Sequence, residues 1–286
     1  MKRENDLKLF QSKENGWVTY GMLVEALKSV KANECEVLLV HTSLLFGTPN
    51  KELKRQELAE ILFDALSELN VNTIIFPTFT FSFGNREDYD VRNTKCKMGI
   101  LNEYARKRED AVRSEDPMMS VCVIGDHKEL AEVSGNKSLG EGSFFDRLNH
   151  TPNVRILFLG ASVSACHTHM HFVEEKLRVP YRYDKEFTGN IIDANGNMRE
   201  DKHILYVKYR DVLPSVPPTF EEELIKEGIE LQTKLGDASV SCFTEKEVYD
   251  KTVEWLERDV NCFLAEPYNT KPLVKEYSYG NVTTVQ

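Results

Sequence analysis

The sequence predicts an α/β protein in which helices cover both faces of a central sheet. Residues 156–159 form a short, wholly apolar run closed by Gly160, which is typical of a strand buried on both faces. Residues 35–41 and residues 72–76 are further runs of aliphatic and β-branched side chains. Helical patterns separate these runs along the chain, and this alternation of strands and helices favours a layered sheet.

The first half of the chain supplies the first alternating elements. Residues 19–30 repeat apolar side chains at three- and four-residue spacing after Thr19, which can cap a helix. The strand at 35–41 ends in a small, hydroxyl-bearing loop at 42–47. A loop of this kind before a helix offers backbone N–H groups to a phosphate or an amide. The elements predicted next are a helix over 51–69, the strand at 72–76, a helix over 98–107 and a strand over 121–125.

A long segment over residues 81–91 carries three aromatic and three acidic side chains. Ordered loops of this length within a compact domain are usually functional. Its acidic residues could therefore hold an amine-bearing substrate, although a solvated loop explains them equally well.

The second half is predicted to contain a hairpin and further helices. A loop and short helix over residues 138–148 lead to the apolar run, and residues 191–207 place turn signals between apolar stretches, which is typical of a hairpin. Prolines precede a predicted helix over 220–227, and Thr244 with Glu247 forms a capping box before another helix.

Composition limits the classes of function. The chain has 286 residues, 41% apolar and 29% charged, with a formal net charge of -10, which argues against nonspecific nucleic-acid binding. No run reaches about 18 apolar residues, and the N-terminal segment has no apolar core of a signal peptide. Six scattered cysteines without CxxC pairs indicate reduced thiols and a cytoplasmic protein. We expect one domain over 1–286 with an irregular tail over 266–286, and no repeat or linker is visible.

Titratable residues crowd the segment that follows the apolar run. If residues 168–178 are helical, His171 and Glu174 share a face and the carboxylate can accept a hydrogen bond from one ring nitrogen. The other nitrogen is then left to act as a general base near neutral pH. Since ligands collect at the carboxyl ends of strands in such sheets, this junction is the predicted site of chemistry.

The same stretch resembles the aminoglycoside 3-N-acetyltransferase family, the antibiotic N-acetyltransferase fold. The resemblance lies in the strand, Gly160, the small-residue loop, Thr168, His171 and Glu174, followed by VPYRY. Three more segments are similar: HTSL at 41–44 to the family's HSSL, PTFT at 77–80, and RSEDPMMS at 113–120 to RSxHPxxS. Two departures affect the acceptor side, because Asp116 replaces a His and Lys95-Cys96 replaces a Pro-Ser.

The resemblance implies an acyltransferase that moves an acetyl or related acyl group from acetyl-CoA, or another acyl-CoA, to the primary amine of an aminoglycoside or other amino sugar. It implies a single layered sheet with helices on both faces and a small β-hairpin extension. A small-molecule acceptor is expected, with no metal, nucleic acid or membrane, and a homodimer is left open. The implied catalytic pair is His171 and Glu174, the implied cofactor contacts are Thr42, Ser43, Leu44, Thr80 and Ser120, and the implied acceptor contacts are Asp90, Asp116 and Tyr181.

Other interpretations stay open at this stage. A nucleotide-linked amino sugar of surface polysaccharide biosynthesis would favour basic residues such as Arg178, Arg182 and Lys185 near the site. The Cys and His residues at 166–171 could instead bind zinc, with His167 and His171 one helical turn apart. Cys166 could be a thiol nucleophile, although a lone cysteine is more often a small buried hydrophobe.

Overall fold

The fold is built around a seven-stranded sheet, seen in a computed structural model that describes residues 3–14 and 16–278. The strands of the described residues are, in chain order, β1 Lys8–Gln11, β2 Trp17–Thr19, β3 Val37–Thr42, β4 Thr48–Pro49, β5 Thr73–Pro77, β6 Tyr89–Asp90, β7 Ala111–Arg113, β8 Val121–Gly125, β9 Val154–Leu159, β10 Arg182–Ile192, β11 Met198–Lys208, β12 Leu231–Leu235 and β13 Ala238–Thr244. The α-helices are α1 Tyr20–Ser29, α2 Arg55–Ser67, α3 Ile100–Arg106, α4 Phe144–Asn149, α5 Val163–Cys166, α6 His169–Lys176, α7 Pro218–Lys226 and α8 Glu245–Arg258.

The strand order in the large sheet is β12-β13-β9-β3-β5-β8-β7. The three middle strands, β9, β3 and β5, run parallel, and antiparallel strands flank them on each side. Carboxyl ends of parallel strands meet at one edge of a sheet, so the loops after β3, β5 and β9 come together.

Both faces of the large sheet are covered, as predicted. Along β3, Val37 and Leu39 enter one hydrophobic core, while Leu38 and Val40 enter another, because successive side chains point to opposite faces. Helices α1, α2 and α3 contribute to the second core, whereas α4, α6, α7 and α8 contribute to the first.

The predicted hairpin is present and longer than predicted. β10 and β11 pair antiparallel from Arg182 opposite Lys208 to Ile192 opposite Met198, and β6 adds to β10 in parallel. The sequence predicts the hairpin only from residue 191, since the polar residues Asp184, Lys185 and Glu186 interrupt the apolar pattern before it.

Other elements differ from the sequence prediction in their boundaries, and some strands were not predicted at all. The small-residue loop that the sequence predicts after Gly160 is partly helical, since α5 starts at Val163. An irregular tail is predicted over residues 266–286. Within it the structure has a 3-10 turn at Tyr268–Thr270, and residues 279–286 lie outside the described residues. The strands that sequence analysis missed are the β1–β2–β4 sheet, the short strand β6 within the predicted loop at 81–91, β7, and the pair β12 and β13. Within the described residues, no helix has both the length and the apolar character that a membrane crossing requires.

Candidate active site

The candidate site lies where the parallel strands end. β3 finishes at Thr42, β5 at Pro77 and β9 at Leu159, and the chain turns through Gly160 into α5 and α6. Gly160 has a positive φ of 66°, and a Cβ there would lie 2.9 Å from the Leu45 backbone nitrogen. Glycine therefore allows the loops after β3 and β9 to pack against each other.

Helix α6 presents the paired histidine and glutamate. His171 Nδ1 lies 2.7 Å from Glu174 Oε2, the geometry that a three-residue separation on a helix allows. The His171 side chain is 31% exposed, whereas that of Glu174 is 2% exposed. The carboxylate is thus held beneath a ring that solvent can reach.

Glu174 has two further partners within hydrogen-bonding range. The Tyr181 hydroxyl donates to Oε1 at 2.8 Å, and Arg182 Nε lies 2.8 Å from Oε2. The Nε–H does not point at the oxygen, so this second contact is an ion pair rather than an aligned hydrogen bond. Burial raises the pKa of Glu174, but three partners outweigh it and lower the pKa to about 2. The charge of Arg182 contributes most, followed by His171 and then by the hydrogen bond from Tyr181. The carboxylate is ionised at neutral pH.

His171 is neutral at pH 7. Burial and then the charge of Arg182 lower its pKa below the usual 6.5, and Glu174 opposes both effects. Arg182 Nη2 also approaches Nδ1, at 2.9 Å. An ionised carboxylate can only accept, so we assign the proton on Nδ1 to the bond with Glu174, and Arg182 then acts through its charge. This tautomer leaves the Nε2 lone pair to take a proton.

A cleft of about 380 Å³ opens beside His171. Its lining is mostly apolar and comes from the strand-end loops, the α5–α6 segment and the hairpin. The lining residues are His41, Thr42, Pro77, Phe79, Phe81, Met98, Asn102, Met119, Leu139, Ala165, Thr168, His171, Arg182, Leu205, Tyr206, Val207, Lys208 and Tyr277. A ring nitrogen that can accept a proton, facing a concave apolar site, suits general base catalysis on a small molecule.

A larger groove of about 990 Å³ continues from this cleft and shares Thr42 and Met98 with it. Three cationic residues, Lys13, Lys51 and Arg55, line the groove. A long ligand with phosphate groups could therefore lie in the groove and reach the cleft with its other end.

Comparison with known proteins agrees with this geometry. The family model described as aminoglycoside 3-N-acetyltransferase matches residues 39–257, which is most of the chain. The chain belongs to the aminoglycoside 3-N-acetyltransferase family. Membership makes it an acyl-CoA-dependent N-acetyltransferase, and it confirms the predicted family, fold class and type of enzyme.

Solved structures show the same fold at low sequence identity. The aminoglycoside acetyltransferase AAC(3)-Xa has a TM-score of 0.69 and 20% identity over 84% of this chain and 93% of its own. The YokD protein from Bacillus subtilis has a TM-score of 0.69 and 20% identity over 85% and 95%. AAC-IIIb, in a binary complex with CoASH, has a TM-score of 0.68 and 18% identity over 87% and 98%. No curated protein sequence matches the chain significantly.

The loop that resembles the family's HSSL segment lies at the junction of cleft and groove. Thr42 lines both, and Ser43 and Leu44 line the groove. The backbone amides of Ser43 and Leu44 donate to the Leu159 carbonyl, at 3.2 and 3.3 Å. Both amides therefore already have a backbone partner, which ties this loop to β9, and the predicted cofactor contacts of the loop stay a prediction.

Thr80 and Ser120, the other predicted cofactor contacts, are 1% and 0% exposed and do not line the cleft. The Thr80 hydroxyl donates to the Pro117 carbonyl at 3.0 Å, and the Ser120 hydroxyl donates to the Thr78 carbonyl at 2.7 Å. Both side chains tie the loop after β5 to the segment before β8.

Two of the predicted acceptor contacts have partners in the protein. Asp116 is 2% exposed, accepts from the amides of Met118 and Met119 at 2.8 Å, and lies 3.3 Å from His203 Nε2. Tyr181 is fully buried and donates to Glu174. Both side chains are thus buried against partners within the protein, and their contact with an acceptor stays a prediction.

Asp90, the third predicted acceptor contact, lies in a turn at the end of β6. Its carboxylate accepts from the amides of Arg92 and Asn93, at 2.9 and 2.8 Å. It is not among the residues that line the cleft. The segment over 81–91 contributes Phe81 to the lining instead.

The histidines of the 166–171 tract point to different environments. His167 is 4% exposed among the rings of Phe158, Phe220 and Phe243, and burial lowers its pKa well below the usual value. His169 Nε2 lies 2.6 Å from Glu245 Oε1. Among the described residues no group of three or more His, Cys, Asp or Glu is arranged to hold a metal ion.

Sequence analysis missed three side chains that shape the site. Arg182 was named only as a basic residue that could face phosphates, whereas it contacts both Glu174 and His171. Asn102 accepts from Thr42 at 2.6 Å and donates to the Pro77 carbonyl at 2.8 Å, which joins two strand ends. Lys208 lines the cleft from β11. The register of the hairpin, which sequence did not provide, brings Lys208 opposite Arg182.

Proposed function

We propose that this protein transfers an acetyl group from acetyl-CoA to the primary amine of an amino sugar, with His171 as general base. The observation that carries the proposal is the placement of His171, whose Nδ1 lies 2.7 Å from the buried carboxylate of Glu174 while its ring lines an apolar cleft. Family membership supplies the reaction class, and the site supplies a group that can perform its proton transfer.

The chemistry follows from the state of the acceptor. An amine that is protonated at neutral pH has no lone pair for attack, so His171 Nε2 removes its proton as the nitrogen approaches the thioester carbon. The carbon–nitrogen bond forms and the carbon–sulfur bond breaks. The departing thiolate of coenzyme A takes the second proton that the nitrogen loses on becoming an amide, and His171 later releases the first proton to solvent. Glu174 stabilises the imidazolium that forms on His171.

The larger groove fits the coenzyme. Its cationic residues Lys13, Lys51 and Arg55 can contact the phosphates, while the opening at Thr42 and Met98 would admit the narrow pantetheine arm toward His171. The Thr42 hydroxyl donates to Asn102, so its oxygen can still accept from an amide of that arm.

We also propose that the enzyme is cytoplasmic and works as one domain. The cytoplasmic assignment is supported by the cysteines. Free thiols are found at Cys35, Cys96, Cys122, Cys242 and Cys262, as expected of a protein in a reducing compartment.

Thiol release tests the proposal. The purified protein is incubated with acetyl-CoA and a panel of amino sugars, free thiol is followed with a chromogenic disulfide, and the product mass is measured. Acceptor-dependent thiol release together with a mass increase of one acetyl group supports the proposal. If the protein binds acetyl-CoA in calorimetry but shows neither thiol release nor the mass increase with any amine, the proposal is overturned.

A further inference from the structure

Two cations face the cleft side by side from the hairpin. Arg182 on β10 and Lys208 on β11 are paired residues in the hairpin register, so their side chains leave the same face, and both line the cleft. Like charges directly opposite each other in an antiparallel pair destabilise it unless a counter-charge is present.

The protein compensates one of these cations with a carboxylate. Arg182 lies 2.8 Å from Glu174, which is buried beneath His171. Lys208 Nζ donates instead to the carbonyls of Val212 and Arg210, at 2.8 and 3.4 Å, and forms no ion pair among the described residues. An ammonium has three donors, so one can still reach a ligand. Burial and then the charge of Arg182 lower the pKa of Lys208, and the charge of Asp211, which forms no ion pair with it, opposes them only in part. A bound anion would add to that opposition.

The cleft also lacks anionic side chains. No described residue that lines it is Asp or Glu, and the residues outside the description, at 1, 2, 15 and 279–286, include neither type. An acceptor with several ammonium groups would therefore bring its charges toward Arg182 and Lys208. The net charge of -10 does not offset this repulsion, because charges beyond about 8 Å are largely screened at physiological ionic strength.

We propose that the acceptor is an amino sugar with one free amine and an anionic substituent of the phosphate-ester type, and that Lys208 is the residue that selects it. The inference rests on the proposed acyl transfer. A phosphate ester would supply the missing counter-charge on the hairpin side of the cleft, while the apolar lining packs against the sugar ring. A polyamine aminoglycoside offers the opposite charge pattern.

Three acceptors separate these alternatives: glucosamine 6-phosphate, glucosamine, and a polyamine aminoglycoside. We expect kcat/KM, measured by thiol release, to be about tenfold higher for the phosphate ester than for glucosamine. A charge-assisted hydrogen bond to the phosphate typically stabilises a complex by at least that factor. The aminoglycoside should be the poorest of the three. Rising salt should reduce the advantage of the phosphate ester.

Variants at Lys208 test the selecting residue. Lys208→Gln should remove the preference for the phosphate ester, and Lys208→Glu should reverse the order of the three acceptors. Lys202→Gln is the matched control, because Lys202 lies on the same strand with its side chain 64% exposed and paired with Glu186 at 3.2 Å. It should leave the order unchanged, and thermal melting of each variant checks that it folds.

The outcomes distinguish this inference from the proposed function. If the aminoglycoside is turned over fastest and Lys208→Glu does not change the order of the three acceptors, the inference is overturned. The acyl-transfer proposal is then left intact. If no acceptor releases thiol, the acyl-transfer proposal fails first. Calorimetry with glucosamine 6-phosphate then still decides the role of Lys208, since equal binding by the native protein and Lys208→Glu would refute it.

Discussion

Arg182 and Glu174 form a buried ion pair directly beneath the ring of His171, with Nε 2.8 Å from Oε2 and side chains 7% and 2% exposed. The two charges act on the imidazole in opposite directions, since Arg182 lowers its pKa and Glu174 raises it. Burial, the largest effect, acts together with Arg182 and keeps the pKa of His171 below its usual value, while Glu174 holds the tautomer of the ring. Removing either partner should therefore move the pH dependence of the reaction in a direction that can be stated in advance.

Glu174→Gln should shift the acid limb of the kcat/KM profile to lower pH. Loss of the negative neighbour, with Arg182 still in place, lowers the pKa of His171 further, so the neutral form persists at lower pH. The amide can also face its NH₂ group toward Nδ1 and favour the wrong tautomer, so we expect kcat to fall about tenfold or more. A pH–rate series with saturating acetyl-CoA measures both effects, and an unmoved acid limb would mean that the two groups do not interact.

Arg182→Met should shift the same limb to higher pH. Without the guanidinium, the pKa of His171 rises, and more alkaline solution is needed to obtain the neutral base. The variant should also lose about 3 to 5 kcal/mol of unfolding free energy, because Glu174 is left buried without its cation. Arg199→Met is the control, since Arg199 lies on the same hairpin, is 46% exposed and pairs with Glu115 and Asp201 at the surface. A limb that moves equally in both variants would argue against a specific effect of Arg182.

Tyr181→Phe tests whether Tyr181 positions Glu174 or binds the acceptor. The substitution removes the hydroxyl that donates to Oε1 at 2.8 Å and should cost about 1 to 3 kcal/mol of stability. Because the side chain is fully buried, we expect the acceptor KM to change by less than about twofold. Urea unfolding and steady-state kinetics separate the two roles. A large rise in acceptor KM with unchanged stability would restore the acceptor-binding interpretation.

The double variant Lys51→Gln, Arg55→Gln tests the groove proposed for coenzyme A. Removing two cations should raise the KM of acetyl-CoA about tenfold or more, since charge-assisted phosphate contacts are lost. A short acetyl thioester without phosphates should show no such change. Lys246→Gln is the control, because Lys246 is 68% exposed and pairs with Asp250 away from the groove. Equal losses with both thioesters would place the phosphates elsewhere.

Most elements that build the site could be predicted from sequence because their signals are local. The apolar run at 156–159, the Thr19 cap and the Thr244 capping box depend on residues close together in the chain, and the structure contains the corresponding strand and helices. The pairing of His171 with Glu174 is also local, since the two residues are three positions apart on one helix. The single-domain assignment stays a prediction.

The remaining features depend on contacts between distant segments. Asp116 and Tyr181 look like substrate contacts in the sequence, but folding buries each against a partner. The cleft-facing position of Lys208 depends on hairpin register, which a sequence with polar interruptions does not fix. The pair β12 and β13 did leave a local signal, because Gly236-Asp237 is a two-residue hairpin loop with a positive φ at Gly236.

The central claim is that His171 takes the proton from the attacking amine, and His171→Ala tests it most directly. The variant and its control, His150→Ala at a side chain 69% exposed, are compared in acetyl-CoA calorimetry and in acceptor-dependent thiol release. We predict nearly unchanged acetyl-CoA binding, with kcat lowered about a hundredfold or more for His171→Ala and unchanged for His150→Ala. A His171→Ala enzyme that binds acetyl-CoA and keeps most of its rate would contradict the account.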